Sequence, residues 1–90
     1  MQKKRERIDI ILDMLVSIQH KGGEIKPTHL MYKANLSHNQ MKSYLEELVE
    51  KNLVNKVMKK NYEYILITDD GSRFVEKIRS MKEFEKSFGF

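Results

Sequence analysis

The sequence predicts a mainly α-helical domain with a small β-hairpin, its elements following one another as α-β-α-α-β-β-α. Three observations predict it. Apolar residues recur at helical spacing in four separate segments. Only Asn35-Leu36-Ser37 separates the second of these segments from the third. After the third, a run of β-branched and aromatic residues is broken by the polar tip Lys59-Lys60-Asn61, which is the pattern of a hairpin.

The first helix is expected over Arg7–Gln19, where Ile8, Ile11, Leu12, Leu15 and Ile18 form an apolar stripe opposite Asp9 and Asp13. Lys21-Gly22-Gly23 ends it, because glycine takes the left-handed cap conformation without strain. Glu24-Ile25-Lys26 then reads as a short extended stretch. Pro27 suits the first position of a second helix, where its missing N–H is no loss, and Asn35 closes that helix after about two turns. The third helix opens on the clearest local signal in the chain. Ser37 and Gln40 form a capping box, and Leu36 and Met41 occupy the two positions of a hydrophobic staple. The helix is expected from His38 to about Asn52, with a core stripe of Met41, Tyr44 or Leu45, Leu48 and Val49. In the hairpin, strands Leu53–Met58 and Tyr62–Ile67 place Ile65 and Ile67 on the core face, and Tyr62, Tyr64 and Leu66 on the other. Thr68 caps the fourth helix, and Asp69 and Asp70 follow where the helix dipole favours negative charge. This helix runs to about Ser87, with Phe74, Ile78, Met81 and Phe88 on one stripe and Val75 and Phe84 beside it.

Ninety residues make one modest core. The organisation expected is a basic N-terminal arm over residues 1–6, a body over 7–68 and a C-terminal helix over 69–90. The net charge of +4 is unevenly spread: residues 1–60 carry twelve Lys and Arg against seven acids, whereas residues 61–90 carry five against six. The larger part is therefore the one that attracts polyanions. Without cysteine there is no disulfide and no thiolate metal site. The basic start Met1–Arg7 precedes an apolar run, but Asp9 and Asp13 interrupt it and no small-residue cleavage site follows, so it is not read as a signal peptide. No stretch approaches the apolar length of a membrane span, and a cytoplasmic, nucleoid-associated location is expected.

Two helices joined by a tight turn, the second followed at once by a hairpin, form the winged helix-turn-helix arrangement. A B-DNA major groove, about 12 Å wide, admits one α-helix. The third helix offers it His38, Asn39, Lys42 and Ser43 outside the core stripe, side-chain types that bond bases or phosphates. Further along, Glu46, Glu47 and Glu50 are expected to stay clear of the DNA backbone, which matches a helix inserted N-terminus first. Lys59 and Lys60 at the hairpin tip, with Lys56 alongside, are candidate phosphate contacts, although lysine also guards edge strands against aggregation. Tyr32 and Lys33, at the end of the second helix, are further candidates for phosphate, with a half-buried Tyr32 as the alternative. Lys3, Lys4, Arg5 and Arg7 form either an arm on the DNA backbone or a solvated end.

Other chemistries find no support. His20, His29 and His38 stand nine apart, without metal-ligand spacing, and Gly22-Gly23 follows a helix where a phosphate loop would open one. Asp69-Asp70 is explained by a helix start, and the methionines lie mostly on core stripes. No enzyme, no cofactor and no small-molecule substrate is expected. The rival from another class is a winged helix that docks on a protein and does not bind DNA.

The run Thr28-His29-Leu30-Met31-Tyr32-Lys33-Ala34-Asn35-Leu36-Ser37, with Tyr44-Leu45, Leu48, Leu53-Val54, Ile67-Thr68 and Gly71, resembles archaeal winged-helix DNA-binding proteins of the chromatin-associated type. The resemblance covers about residues 7–80. It implies a winged-helix fold, double-stranded DNA as the partner of the third helix and wing, and a homodimer held by an antiparallel coiled coil of C-terminal helices. That family usually has Arg where this chain has His29. A dimer seam through Phe74, Ile78, Met81, Phe84 and Phe88 would be short, because Glu85 interrupts it. Phe84, Phe88 and Phe90 otherwise leave aromatic surface exposed unless they fold back on the domain's own core.

Overall fold

The computed structural model describes residues 5–89. Seven elements follow in the expected order: α1 (Arg7–His20), β1 (Glu24–Ile25), α2 (Pro27–Lys33), α3 (His38–Glu50), β2 (Val54–Lys59), β3 (Tyr62–Ile67) and α4 (Asp69–Ser87). Lys3, Lys4 and Phe90, singled out in the sequence, lie outside the described residues.

The helices stop where backbone chemistry stops them. The residues just past α1, α2 and α3 are Gly22, Asn35 and Asn52, all at positive φ, the conformation that asparagine tolerates better than other side chains. In each case the next amide reaches back into the last turn: Gly23 N–H donates to Ile18 O at 2.9 Å, Leu36 N–H to Met31 O at 3.0 Å, and Leu53 N–H to Leu48 O at 2.9 Å. These are Schellman closures, which satisfy carbonyls the helix leaves open. Asn52 thus lies beyond α3, two residues after its final residue, Glu50.

The start of α3 is as the sequence predicts. Gln40 N–H donates to Ser37 Oγ at 3.2 Å, and Ser37 N–H donates to Gln40 Oε1 at 3.0 Å. A cap of this kind contributes about 1 kcal/mol. Leu36 and Met41 are both buried, which closes the staple.

The core forms around α1, which meets α2, β1, β3 and α4. Its buried residues are Ile10, Ile11, Met14, Leu15 and Ile18, while Ile8 and Leu12 are half-buried. The buried face is therefore turned from the stripe read in the sequence, because neighbours enclose α1 on more than one side. On α3 the buried residues are Met41, Leu45 and Leu48. Tyr44 is half-buried, and Val49 is 38% exposed and outside the core.

β1, β3 and β2 form an antiparallel sheet in that order, with Ile25 and Lys56 both opposite Ile65. Ile65 is fully buried and Ile67 half-buried, whereas Tyr62 is exposed and Tyr64 and Leu66 half-buried on the outer face. The hairpin turn is shorter than the three-residue tip read in the sequence: Lys59 still pairs with Tyr62, and only Lys60 and Asn61 lie between. Both have positive φ, 48° and 70°, as a two-residue type I′ turn requires.

A joint of backbone contacts seats α4. Thr68 N–H donates to Leu53 O at 3.1 Å, and Thr68 Oγ1 donates to Asn52 O at 2.7 Å while accepting from Gly71 N–H at 2.9 Å. The first half of α4 packs on the core through Val75 and the half-buried Phe74. Its last turns project, and the described residues extend over 49 × 30 × 22 Å.

Candidate nucleic-acid interface

The direction of α3's polar face follows from its buried one. Because Met41, Leu45 and Leu48 point inward, the residues at opposite helical positions, Asn39, Ser43, Glu46 and Glu50, form the outward stripe, and all four are exposed. His38 and Lys42 flank it on the side of α2. There they share a shallow groove with Pro27 and Thr28, floored by Met31, Met41 and Leu45. Four residues named from the sequence, His38, Asn39, Lys42 and Ser43, thus lie together on the first two turns of α3.

Lys59 and Lys60 are at the hairpin tip and exposed. Lys59 is not free: its Nζ lies 2.6 Å from Glu24 Oε2 on β1 and 5.8 Å from the centre of the Tyr64 ring. Beside it, Lys26 Nζ sits 4.3 Å over the ring of Tyr62. Lys26 occupies the N-cap position of α2, its side chain making no capping hydrogen bond. A contiguous ridge results, running from the lysines of the tip through Tyr62 and Lys26 to Thr28, His38 and Lys42. Sequence reading missed Lys26, Thr28 and Tyr62 as parts of this surface. The signal for Lys26 was Pro27, whose place at the first helical position sets Lys26 at the head of α2.

Other candidates lie apart from this ridge. Lys56 alternates to the opposite hairpin face from Lys59, opposite Ile65. Lys33 shares a hollow with Ser17, His20 and Lys21 at the end of α1, away from α3. Tyr32 is 73% exposed, against the half-buried alternative. His29 faces a hollow lined by Lys21, Glu24, Lys26 and Tyr64.

The arginines near the N-terminus are engaged by the body of the domain. Arg5 donates to Ala34 O at 2.9 Å, in the turn before α3, and pairs with Asp13 at 2.8 Å. Arg7 donates to both carboxylate oxygens of Glu47, at 2.5 and 2.7 Å, and lies 5.5 Å over Tyr44. The hydrogen bonds and charge of Glu47 raise the Arg7 pKa further, so it stays a cation.

The candidate dimer residues divide. Phe74 packs on the core, and Ile78 is half-buried. Met81, Phe84 and Phe88 are exposed, the last two at 62% and 66%. The two phenyl rings lie 4.7 Å apart and do not fold back on the core. Among the described residues no cluster of His, Cys, Asp and Glu is arranged to hold a metal, and no helix is long and apolar enough to cross a membrane.

The whole arrangement has known counterparts. Over residues 4–86 the chain matches the winged helix-turn-helix family. It is 31% identical over 78 residues to the uncharacterized protein MJ0290 of Methanocaldococcus jannaschii, which covers 87% of this chain and 34% of that protein. The chain therefore spans about a third of that relative's length. Its fold is that of Sso10a-2, a DNA-binding protein from Sulfolobus solfataricus, at a TM-score of 0.78 and 19% identity, with 93% of this chain and 85% of that one covered. F93 from STIV, a winged-helix DNA-binding protein, superposes with a TM-score of 0.75 at 15% identity, covering 92% of this chain and 94% of F93. By its family match over these residues, this chain belongs to the winged helix-turn-helix family.

Proposed function

We propose that this chain binds double-stranded DNA as a homodimer, serving as a transcriptional regulator or chromatin-associated protein. α3 enters the major groove by its N-terminal turns, so that Asn39 and Ser43 face base edges and His38 and Lys42 face the flanking strand. Lys26, Lys59 and Lys60 neutralise phosphates along the adjacent backbone. The observation that carries this reading is the ridge itself. Cations from the hairpin tip, the head of α2 and the first turns of α3 are exposed, linked through the contact of Lys26 with Tyr62 and the groove that Thr28 shares with His38 and Lys42. The homodimer is supported by Met81, Phe84 and Phe88, whose apolar surface stands exposed on the last turns of α4. A symmetric pair would set two recognition helices roughly 34 Å apart, one helical turn of DNA.

Fluorescence titration with a random-sequence duplex at two salt concentrations tests the binding. The wild type is expected to bind with a steep salt dependence. The triple variant K42A/K59A/K60A should bind more weakly to every sequence, its slope reduced by about 0.9 for each phosphate that is no longer neutralised. An unchanged slope would remove these lysines from the interface. Sedimentation equilibrium of wild type and F84D/F88D tests the dimer, and equal monomeric masses would refute it.

A further inference from the structure

We infer that Glu46 is a specificity-determining residue of the α3 surface, favouring a cytosine at a position distinct from the base that Asn39 meets. The inference rests on the duplex-binding reading and adds to it a residue of opposite sign. Glu46 stands on the outward stripe between Ser43 and Glu50, exposed, and no ion pair or hydrogen bond engages it among the described residues. Its neighbour Glu47 differs: Arg7 holds both its oxygens and turns it toward the body of the domain. The sequence treats these acids as one repelled block, but the structure separates the neutralised carboxylate from the one that points where Asn39 points.

The chemistry of a carboxylate then restricts what it meets. Seven residues of helix at about 1.5 Å each set Glu46 roughly 10.5 Å beyond Asn39 on the same outward face, so the two side chains meet different bases. An ionised carboxylate only accepts hydrogen bonds. In the major groove guanine presents two acceptors and thymine an acceptor and a methyl group. Adenine's amino donor adjoins the N7 acceptor, and cytosine alone presents a donor without one. Phosphates repel the carboxylate as well. Glu46 therefore lowers affinity for most duplexes and least for those with cytosine at its position, which is discrimination by penalising the wrong partner.

The test is selection from a randomised duplex library with wild type, E46Q and N39A, each first shown by circular dichroism and melting temperature to be folded. The wild type should enrich one position for cytosine roughly tenfold over the other bases. E46Q should lose that enrichment and drift toward adenine, which glutamine bonds, while gaining affinity for unselected duplex. N39A should alter a different position and leave the cytosine in place. If wild type and E46Q enrich the same base at that position, or the wild type retains duplex without any base preference, Glu46 does not set specificity and duplex binding stands. If the wild type retains no duplex at all, the duplex-binding reading falls and the inference with it.

Discussion

Arg7 and Glu47, forty positions apart in the chain, are joined by two hydrogen bonds that fasten the first turn of α1 to the middle of α3. The Tyr44 ring beneath the guanidinium completes the contact. The pair lies at the surface, with Arg7 exposed and Glu47 half-buried, so its effect on stability is small. Its effect on binding should be larger, because without Arg7 the carboxylate of Glu47 is a bare negative charge on the helix that meets DNA. R7A is expected to melt close to the wild type yet bind random duplex several-fold more weakly at low salt, with R7A/E47A recovering most of the loss. Titrations of the three proteins alongside E47A decide it. Equal weakness in R7A and R7A/E47A would show that Arg7 contacts DNA itself.

Gly71 separates two rules that give opposite signs. Replacing glycine by alanine inside a helix favours the helix by up to about 1 kcal/mol. Here, however, a Cβ would overlap the Leu53 carbonyl oxygen and stand 2.7 Å from Ile67 Cγ1. That carbonyl already accepts from Thr68 N–H and cannot retreat without breaking the joint. G71A is therefore expected to destabilise the domain by about 1–3 kcal/mol, read from urea denaturation. A variant as stable as the wild type would show that α4 is free to shift away from the sheet.

The head of α3 is legible in the sequence because every partner in it, Leu36, Ser37, Gln40 and Met41, lies within one turn and the signal is local. The alternation of the hairpin is legible for the same reason. The buried face of α1 is not, since Ile10 and Met14 are buried by elements that arrive from far along the chain. At the candidate interface, His38, Asn39, Lys42 and Ser43 are read from one helix's period, which places them together. The contact of Lys26 with Tyr62 and the separation of Lys33 from α3 depend on how β1, β3 and α1 stack, and no spacing in the sequence encodes that. Val49 fits the apolar period of α3 yet is exposed, because the core is filled by Leu45 and Leu48 before reaching it.

Asp70 should make stability depend on pH at the acid end. Its carboxylate accepts from Arg73 one turn on and from Asn52 Nδ2 at 3.2 Å, beyond the end of α3. These bonds, with that of Arg73 the larger influence and its charge adding to them, hold the Asp70 pKa below its ordinary value. A carboxyl depressed in the folded state stabilises that state above the unfolded pKa of about 3.9, and the contribution is lost as pH falls through the folded value. In melting curves recorded between about pH 2 and 7, the advantage of wild type over D70N should be constant above about pH 5 and shrink toward the acid end. A gap that does not change with pH would mean that the carboxylate's charge contributes nothing through these bonds.

The turn at Lys60 and Asn61 should let stability and binding be moved in opposite directions. Both residues occupy the left-handed region, at φ 48° and 70°, and lysine adopts it less readily than asparagine or glycine. Asn-Gly is the pair that a two-residue type I′ turn prefers. K60N/N61G is therefore expected to gain about 1 kcal/mol in stability, since it relieves strain at the first position and removes the side chain at the second. The same change deletes a cation from the tip of the ridge. If Lys60 touches a phosphate, the double variant will melt higher yet bind duplex more weakly, with a salt slope smaller by about 0.9. N61G alone keeps the lysine, so it should gain part of the stability with the slope unchanged, which isolates the charge from the turn. A higher melting temperature with unaltered binding in K60N/N61G would remove Lys60 from the interface and leave Lys26, Lys42 and Lys59 as the lysines that hold DNA.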